Sequence, residues 1–229
     1  MKRLVLSLLV GAAAVGFAST TYAADLIIDE PAPVGVVEAT GNWDGLYIGG
    51  FVGYGWGEVS DPNDYYDFAD TNQVIDLSGF LAGVAIGANF TVTDGIVAGV
   101  VGDVAWANIH GESFDYYDDI WVEHDINWTA SLRGKLGFDG GAFLPYLTAG
   151  LAVANATSTP DNDPDFTDTQ THIGWTVGAG VEFAVTEDLS VDLLYRYSDY
   201  GTKVYDAWYG DDELGLTTHT VQVGLNWKF

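Results

Sequence analysis

Hydrophobic and polar residues alternate along most of the chain from residue 43 to the carboxyl terminus. In the segment 172–185, for example, Ile173, Trp175 and Val177 are separated by Gly174 and Thr176. A period of two is typical of a β-strand with one face in an apolar environment. The alternation predicts eight strands, near 45–57, 77–90, 95–109, 124–138, 143–155, 172–185, 189–201 and 217–229.

The same pattern assigns residues to the two faces of each strand. In segment 124–138 the predicted apolar face begins with Ile126 and Trp128, and the predicted polar face includes Asn127, Arg133 and Lys135. Helical spacing is not sustained beyond residue 43, and the chain holds 29 glycines, each of which costs about 1 kcal/mol relative to alanine inside a helix. The fold class is therefore predicted to be all-β.

The predicted connections alternate in length, which places long and short ones at opposite ends of an antiparallel, up-and-down arrangement. The long stretches are 58–76, 110–123, 156–171 and 202–216, and the short ones are 91–94, 139–142 and 186–188. Together with Asp125 and Asp199, the long stretches carry 21 of the 33 acidic residues. The negative charge is thus predicted to collect at one end of the sheet.

Alternating strands also describe a water-soluble barrel with an apolar interior, such as a lipocalin. Here the more polar faces consist mainly of Gly, Ala, Ser and Thr, which suits a narrow interior better than a water-facing exterior. Aromatic residues also gather near both ends of the strands, as expected at the two interfaces of a membrane. The long-loop ends carry Trp56, Trp106, Trp128, Trp175 and Tyr197, and the short-turn ends carry Phe90, Phe138, Phe143, Phe183, Trp227 and Phe229. We therefore predict an eight-stranded antiparallel up-and-down transmembrane β-barrel.

The amino terminus has the features of a cleavable export signal. Lys2 and Arg3 precede an apolar run of 14 residues, 4–17, and small residues follow up to Ala23. This run is shorter than the roughly 20 residues that span a bilayer as a helix. We predict a signal peptide over 1–23, a periplasmic extension over 24–42 and the barrel over 43–229.

Composition narrows the classes of partner. The formal net charge of −26 arises from 7 basic and 33 acidic residues, which excludes a nucleic-acid-binding surface rich in cations. The chain contains no cysteine, so it has no disulfide framework and no thiolate metal site. We expect no cofactor.

Several charged residues lie on the polar faces of predicted strands and should project into the lumen. An eight-stranded barrel is just wide enough to be filled by side chains, so buried charges there should form an ionic network. This network either fills the lumen or gates a small cation-preferring pore, in which case Arg196→Ala should raise conductance. Its predicted members are Asp103, Arg133, Lys135, Glu182, Asp192 and Arg196.

The long-loop end offers weaker candidates for metal binding. His110, His124, His172 and His219 all lie at this end, as a metal-binding or pH-responsive rim would require, but no two have the close spacing of a ligand pair. Segment 161–172 begins like a calcium loop with Asp161, Asp163 and Asp165, but it has Phe166 where the turn glycine should be and His172 at the position of the bidentate glutamate. We predict no specific metal site, and we leave open a loose bridging of loop carboxylates to lipopolysaccharide phosphates by divalent cations.

Aromatic residues are also interleaved with acids in the long stretches, at 64–68, 114–121 and 206–209. Exposed Tyr and Trp can anchor an extracellular partner, but they can equally extend the aromatic belt beyond the bilayer. An enzyme is the third class, because some small outer-membrane barrels are hydrolases. Such an enzyme needs a nucleophile and its base on neighbouring positions of the rim. No histidine here has a serine two residues away on its strand, and we therefore predict no catalysis.

Four segments resemble the small outer-membrane β-barrel proteins of Gram-negative bacteria, especially the opacity-like surface antigens of alphaproteobacteria. These are 43–50 (WDGLYIGG), 143–151 (FLPYLTAGL), 174–182 (GWTVGAGVE) and the final strand ending on Phe229. The resemblance implies that the last strand is the signal read by the outer-membrane assembly machinery. In this chain the signal would consist of Val221, Val223, Leu225, Trp227 and Phe229.

The sequence therefore predicts an integral outer-membrane barrel with a structural or surface-interacting role. Its expected partners are outer-membrane lipids, lipopolysaccharide, the assembly machinery and an extracellular molecule bound through the loops. The alternative function is a narrow, cation-preferring porin for small solutes.

Overall fold

Eight antiparallel strands follow one another in chain order, and the last pairs with the first to close a barrel. The computed structural model describes residues 42–60, 74–115, 120–160, 168–207 and 210–229, all within one unit that spans 38–229. The predicted signal peptide and nearly all of the predicted extension lie outside the described residues. The strands are β1 Gly45–Ser60, β2 Val74–Thr93, β3 Ile96–Asp115, β4 Ile120–Phe138, β5 Phe143–Pro160, β6 Asp168–Ala184, β7 Leu189–Ala207 and β8 Gly210–Lys228. The predicted eight-stranded antiparallel barrel is confirmed.

The alternation in the sequence corresponds to the two faces of the barrel wall. In β6, Ile173 and Phe183 point outward and are 65% and 48% exposed, whereas Thr176 and Glu182 point inward and are at most 3% exposed. Successive side chains of a strand point to opposite sides, so every second residue shares one environment. The outer surface is accordingly apolar, and among the described residues no helix is long and apolar enough to cross a membrane.

The two ends of the barrel differ, and we name them by their connections. The turn end carries the short connections 94–95, 139–142 and 185–188 together with both ends of the strand sequence, Gly45 and Phe229. The loop end carries the connections 61–73, 116–119, 161–167 and 208–209, which lie outside the described residues. The outward aromatics Trp106 (74% exposed) and Phe138 (56% exposed) belong to the loop-end and turn-end sets, respectively.

The strands are longer at the loop end than the alternation predicted. β3 continues to Asp115 and β4 begins at Ile120, so most of the predicted loop 110–123 is paired strand. The other three predicted long loops are shortened in the same way. A hairpin beyond the apolar zone meets water on both faces, so its sequence needs no alternation, while its backbone hydrogen bonds continue the ladder.

A β-bulge in β4 reverses two predicted side-chain directions. On the β5 side Ile126 pairs with Ala156 and Trp128 with Asn155, which leaves Asn127 as an extra residue. Ile126 therefore points inward and is 1% exposed, whereas Asn127 is exposed and donates a hydrogen bond to Thr157 Oγ1 at 2.8 Å. The assignment of Ile126 to the outward face was wrong, because one inserted residue moves the neighbouring side chains to the opposite face.

Candidate functional site

The barrel interior is stratified along its axis, and the layer toward the loop end is apolar. Ile109 of β3 and Ile126 of β4, each 1% exposed, meet there with residues from β1, β2, β5, β7 and β8. We call this group the apolar layer; it consists of Val59, Leu77, Leu81, Ala105, Ile109, Ile126, Ala152, Ala154, Tyr200 and Leu216.

Sequence reasoning missed the apolar layer, because it treated the inward faces as uniformly polar. The signal was nevertheless present in β2. Leu77 and Leu81 lie on the same face of this strand as the inward Gly79, whereas Phe80 and Ala82 lie on the outward face. Large aliphatic residues on the face that carries glycines near the loop end would have predicted this layer.

The layer toward the turn end is ionic, and Asp103 lies at its centre. One carboxylate oxygen of Asp103 accepts a hydrogen bond from Arg133 Nη2 at 2.6 Å, and the other accepts one from Arg196 Nη1 at 3.1 Å. Ser131 Oγ donates to the same carboxylate at 2.5 Å and accepts from Arg133 Nε at 2.9 Å. Asp103 and both arginines are at most 8% exposed, so protein groups rather than bulk water surround these charges.

A second charged group of the ionic layer is built around Glu182. Lys135 Nζ lies 2.6 Å from Glu182 Oε2, while Ser190 Oγ and Asn226 Nδ2 donate to Oε1 at 2.5 and 3.0 Å. The Lys135 ammonium also lies 4.3 Å from the centre of the Tyr146 ring, within the range of a cation–π interaction. Both oxygens of Glu182 therefore have donors.

Asp192 lies beside these ion pairs and has a different partner. The Tyr146 hydroxyl lies 2.8 and 2.9 Å from the two oxygens of its carboxylate and donates its proton to it. A cavity of about 40 Å³ adjoins Asp192, Tyr146, Arg133 and Lys135. The structure thus brings all six predicted lumen residues into the interior and joins five of them in three ion pairs.

The turn end of the interior is again apolar. Trp43, which immediately precedes β1, is 7% exposed and packs with Val97 and Leu144, both fully buried, and with Ala184. Its indole Nε1 donates to Asp139 Oδ1 at 3.1 Å, in the turn between β4 and β5. The ionic layer therefore lies between two apolar groups.

The four histidines do not form a single cluster. His124 and His172 both line a cavity of about 20 Å³ at the loop end of the lumen, together with Asp125. His219 instead faces outward, stacks on Trp56 at 5.6 Å and shares a 2.7 Å hydrogen bond with the Tyr195 hydroxyl. Within the described part of the chain, no three histidine, aspartate or glutamate residues are grouped closely enough to hold a metal ion.

At the loop end, exposed carboxylates face each other across strand pairs. Glu58 of β1 is in register with Asp76 of β2, and Glu112 of β3 with Glu123 of β4. Like charges directly opposite each other in a sheet are destabilising. The predicted calcium-like start at 161–165 and the aromatic segment 64–68 lie outside the described residues, as do the side chains of segments 114–121 and 206–209.

The five residues of the predicted assembly signal form one outward stripe on β8 and the residue after it. Val221 is 39% exposed and Phe229 is 74% exposed, and the other three lie between these values. The stripe adjoins β1, because the Phe229 amide donates to Leu46 O at 3.0 Å. The last strand thus presents a continuous apolar surface beside the seam that closes the barrel.

Comparisons with known proteins agree with this architecture. A family model described as outer membrane protein beta-barrel domain matches residues 10–229. The 31 kDa outer-membrane immunogenic protein of Brucella melitensis is 30% identical over 238 residues, covering 97% of this chain and 99% of that protein. The 25 kDa outer-membrane immunogenic protein of Brucella abortus is 32% identical over 234 residues and the full length of both.

A relative outside the genus Brucella is similar to a comparable degree. The 22 kDa outer membrane protein of Rhizobium leguminosarum is 34% identical over 193 residues, covering 84% of this chain and 81% of that protein. Among solved structures, Neisserial surface protein A aligns with 80% of this chain and 97% of its own, at 18% identity and a TM-score of 0.48. The family match and the full-length relatives confirm the resemblance noted in the sequence: the chain belongs to the outer membrane protein beta-barrel domain family and resides in the bacterial outer membrane.

Proposed function

We propose that this protein is a structural, surface-displayed barrel whose lumen is closed by its own side chains and which has no catalytic role. The observation that carries the proposal is the apolar layer, whose ten members are all at most 7% exposed. An ion crossing the barrel would have to leave water at this layer, and the transfer of an unpaired charge into an apolar medium is strongly unfavourable.

The small size of the internal cavities supports the same conclusion. The cavities beside Asp192 and beside His172 have volumes of about 40 and 20 Å³. A cavity needs roughly 10–15 Å³ to hold one water molecule, so each of these cavities holds a few waters at most. An interior of this kind stiffens the barrel and leaves the outer surface and the loop end as the regions available to partners.

The loop end is the surface that we assign to outer-membrane lipids and to extracellular partners. The facing pairs Glu58/Asp76 and Glu112/Glu123 create a negative rim where the barrel emerges from the outward apolar zone. Divalent cations are hard oxygen-seeking ions and would bridge these carboxylates to the phosphates of lipopolysaccharide. The apolar stripe from Val221 to Phe229 is assigned to recognition by the outer-membrane assembly machinery.

The alternative is a narrow cation-preferring pore, and the negative rim is the observation that favours it, since it would concentrate cations at the entrance. The two functions predict different effects of Arg196→Ala on conductance. Arg196 forms an ion pair with Asp103 in the ionic layer. If the ionic layer alone closed a pore, Arg196→Ala would open it. If the apolar layer closes the barrel, Arg196→Ala leaves it closed.

Single-channel recording of the refolded protein in a planar bilayer tests this proposal. We expect no stable conductance steps from the unchanged protein or from Arg196→Ala, with the folded state of each verified by heat-modifiable migration in gels. Lys203→Ala, which removes an exposed cation from the same strand, is the matched control. Cation-selective steps from the unchanged barrel, or steps that appear only with Arg196→Ala, would establish the pore instead.

A further inference from the structure

We propose that the outward surface around β8, near the loop end, is a binding site for the phosphorylated glucosamine headgroup of lipopolysaccharide. We call this surface the β8 patch; it consists of Trp56, Tyr195, Tyr197, Thr217 and His219. The inference rests on the proposed function, because it locates on one side of the barrel a lipid contact that was assigned to the loop end as a whole.

His219 lies at the centre of a cluster of aromatic rings on this outward surface. The Trp56 ring of β1 stacks on the imidazole at an interplanar angle of 10°, and the centre of the Tyr197 ring of β7 lies 5.0 Å from it. Trp175 of β6 packs edge-on against Tyr197 at 5.5 Å. Trp56 and Trp175 are 40% and 47% exposed, so both rings are accessible to a molecule beside the barrel. The C–H groups of a sugar carry partial positive charge and pack favourably on the negative face of an aromatic ring.

The hydrogen bond between His219 and Tyr195 makes His219 a donor to a ligand. His219 Nδ1 lies 2.7 Å from the Tyr195 hydroxyl. A phenol is more acidic than a neutral imidazole N–H, so Tyr195 donates and Nδ1 accepts. Nε2 then carries the hydrogen, and it makes no hydrogen bond to any of the residues that the structure describes.

Thr217 supplies a second neutral donor on the same face of β8, two residues from His219. In the strand register Thr217 lies between Glu58 of β1 and Asp199 of β7. The neighbouring strands thus present carboxylates at this level, whereas β8 presents a hydroxyl. The Thr217 hydroxyl and His219 Nε2 can donate to a phosphate, while a divalent cation bound by either carboxylate offsets the negative charges.

The level of the β8 patch along the barrel axis fits a lipid headgroup. Toward the turn end, the outward face of β8 continues with Val221 and Val223, which are 39% and 49% exposed and suit acyl chains. Toward the loop end it reaches the carboxylates beside Thr217. Trp and Tyr are enriched at this interface of a membrane. A headgroup that combines sugar rings with phosphates uses both the aromatic rings and the donors, whereas a glycerophospholipid offers a phosphate without a sugar ring.

Titration of the refolded protein in detergent micelles with diphosphoryl lipid A tests the site, with native mass spectrometry measuring the Kd of the first bound lipid. His219→Phe keeps a ring on Trp56 but removes the Nε2 donor, and we expect it to raise this Kd about tenfold, the equivalent of one hydrogen bond to a charged group. His110→Phe is the matched control, because His110 is an exposed residue of β3 at the same level, in register with Ser78 and through it with Trp56. It should leave the Kd unchanged, and equal Kd values for the two variants would overturn the proposal.

A second pair of variants distinguishes a site from a general aromatic belt. Trp56→Leu should raise the Kd about three- to tenfold through the loss of ring contacts, whereas Trp106→Leu, which removes an exposed loop-end aromatic residue of β3, should not. Equal losses in these two variants would overturn the proposal, because a belt without a specific site depends on both residues alike. Thr217→Val provides another route should His219→Phe fail to fold, and it should also weaken binding.

The choice of lipid tests the chemistry of the headgroup. Phosphatidylglycerol carries a phosphate but no sugar ring, so we expect it to bind about tenfold more weakly than lipid A, the loss of roughly one ring contact. Equal affinity for the two lipids would overturn the assignment to a glycolipid.

Removal of divalent cations with EDTA separates this proposal from the proposed function. Bridging through the rim carboxylates predicts that EDTA weakens lipid A binding whether or not His219 is replaced. The ratio of the Kd values of His219→Phe and His110→Phe should persist in EDTA. A ratio of one with an intact response to EDTA would overturn the β8 patch alone, whereas a persistent ratio without any response to EDTA would contradict the bridging and support the patch.

Discussion

Asp103 and Glu182, inside the barrel, each lie 2.6 Å from a cationic side chain, whereas Glu112 and Glu123, at the loop end, face each other across two strands. The interior carboxylates are at most 8% exposed, and the loop-end carboxylates are exposed. Inside, no bulk water screens a charge, so the protein itself supplies cations and donors. Outside, water and mobile ions screen the same groups, and like charges can be neighbours at small cost. Three predictions test this contrast.

The largest effect is expected from Asp103→Asn. This change removes the negative charge shared by Arg133 and Arg196 and leaves two buried guanidinium groups without a counter-charge. Breaking a buried ion pair in this way typically costs about 3–5 kcal/mol of unfolding free energy. Urea unfolding in lipid vesicles, followed by tryptophan fluorescence, measures the loss. The exposed Asp188→Asn is the control, and equal stability of the two variants would show that the interior charges are not compensated as the geometry indicates.

A smaller loss is expected from Lys135→Met, because Glu182 retains hydrogen bonds from Ser190 and Asn226. We expect a decrease of about 3 kcal/mol, at the lower end of the cost of removing one partner of a buried ion pair, because these two donors remain. Adding Glu182→Gln should restore most of the stability, since exchanging both members of a buried pair for neutral groups is often nearly neutral. The same unfolding assay applies, and a double variant less stable than Lys135→Met would contradict this account.

The smallest effect, of opposite sign, is expected from Glu123→Gln. Relief of the repulsion from Glu112 should stabilise the barrel by about 0.2–1 kcal/mol in neutral lipids without divalent ions. In bilayers containing lipopolysaccharide, Mg²⁺ should instead raise the thermal stability of the unchanged protein. It should raise the thermal stability of Glu123→Gln by a smaller amount. Glu187→Gln at the turn end is the matched control, and an identical Mg²⁺ response of both variants would remove the support for cation bridging.

Much of the fold could be read from the sequence because a transmembrane strand imposes a local rule. Every second side chain of β6 meets the same apolar surroundings, so Ile173 and Glu182 could be assigned to opposite faces without knowing any neighbour. The same rule placed Arg133, Lys135 and Arg196 toward the interior. The length and number of alternating segments then predicted eight antiparallel strands.

Other features are decided by contacts between strands that are distant in sequence. Strand register and barrel closure let Arg133 and Arg196 share Asp103. They also bring Leu77, Ile109 and Leu216 into one layer and pack Trp43 against Leu144. Ile126 points inward only because a single bulge shifts its parity relative to Trp128. A period of two determines which face a residue occupies, but the level that it reaches along the barrel axis, and the partner that it meets there, are set only when all eight strands pair.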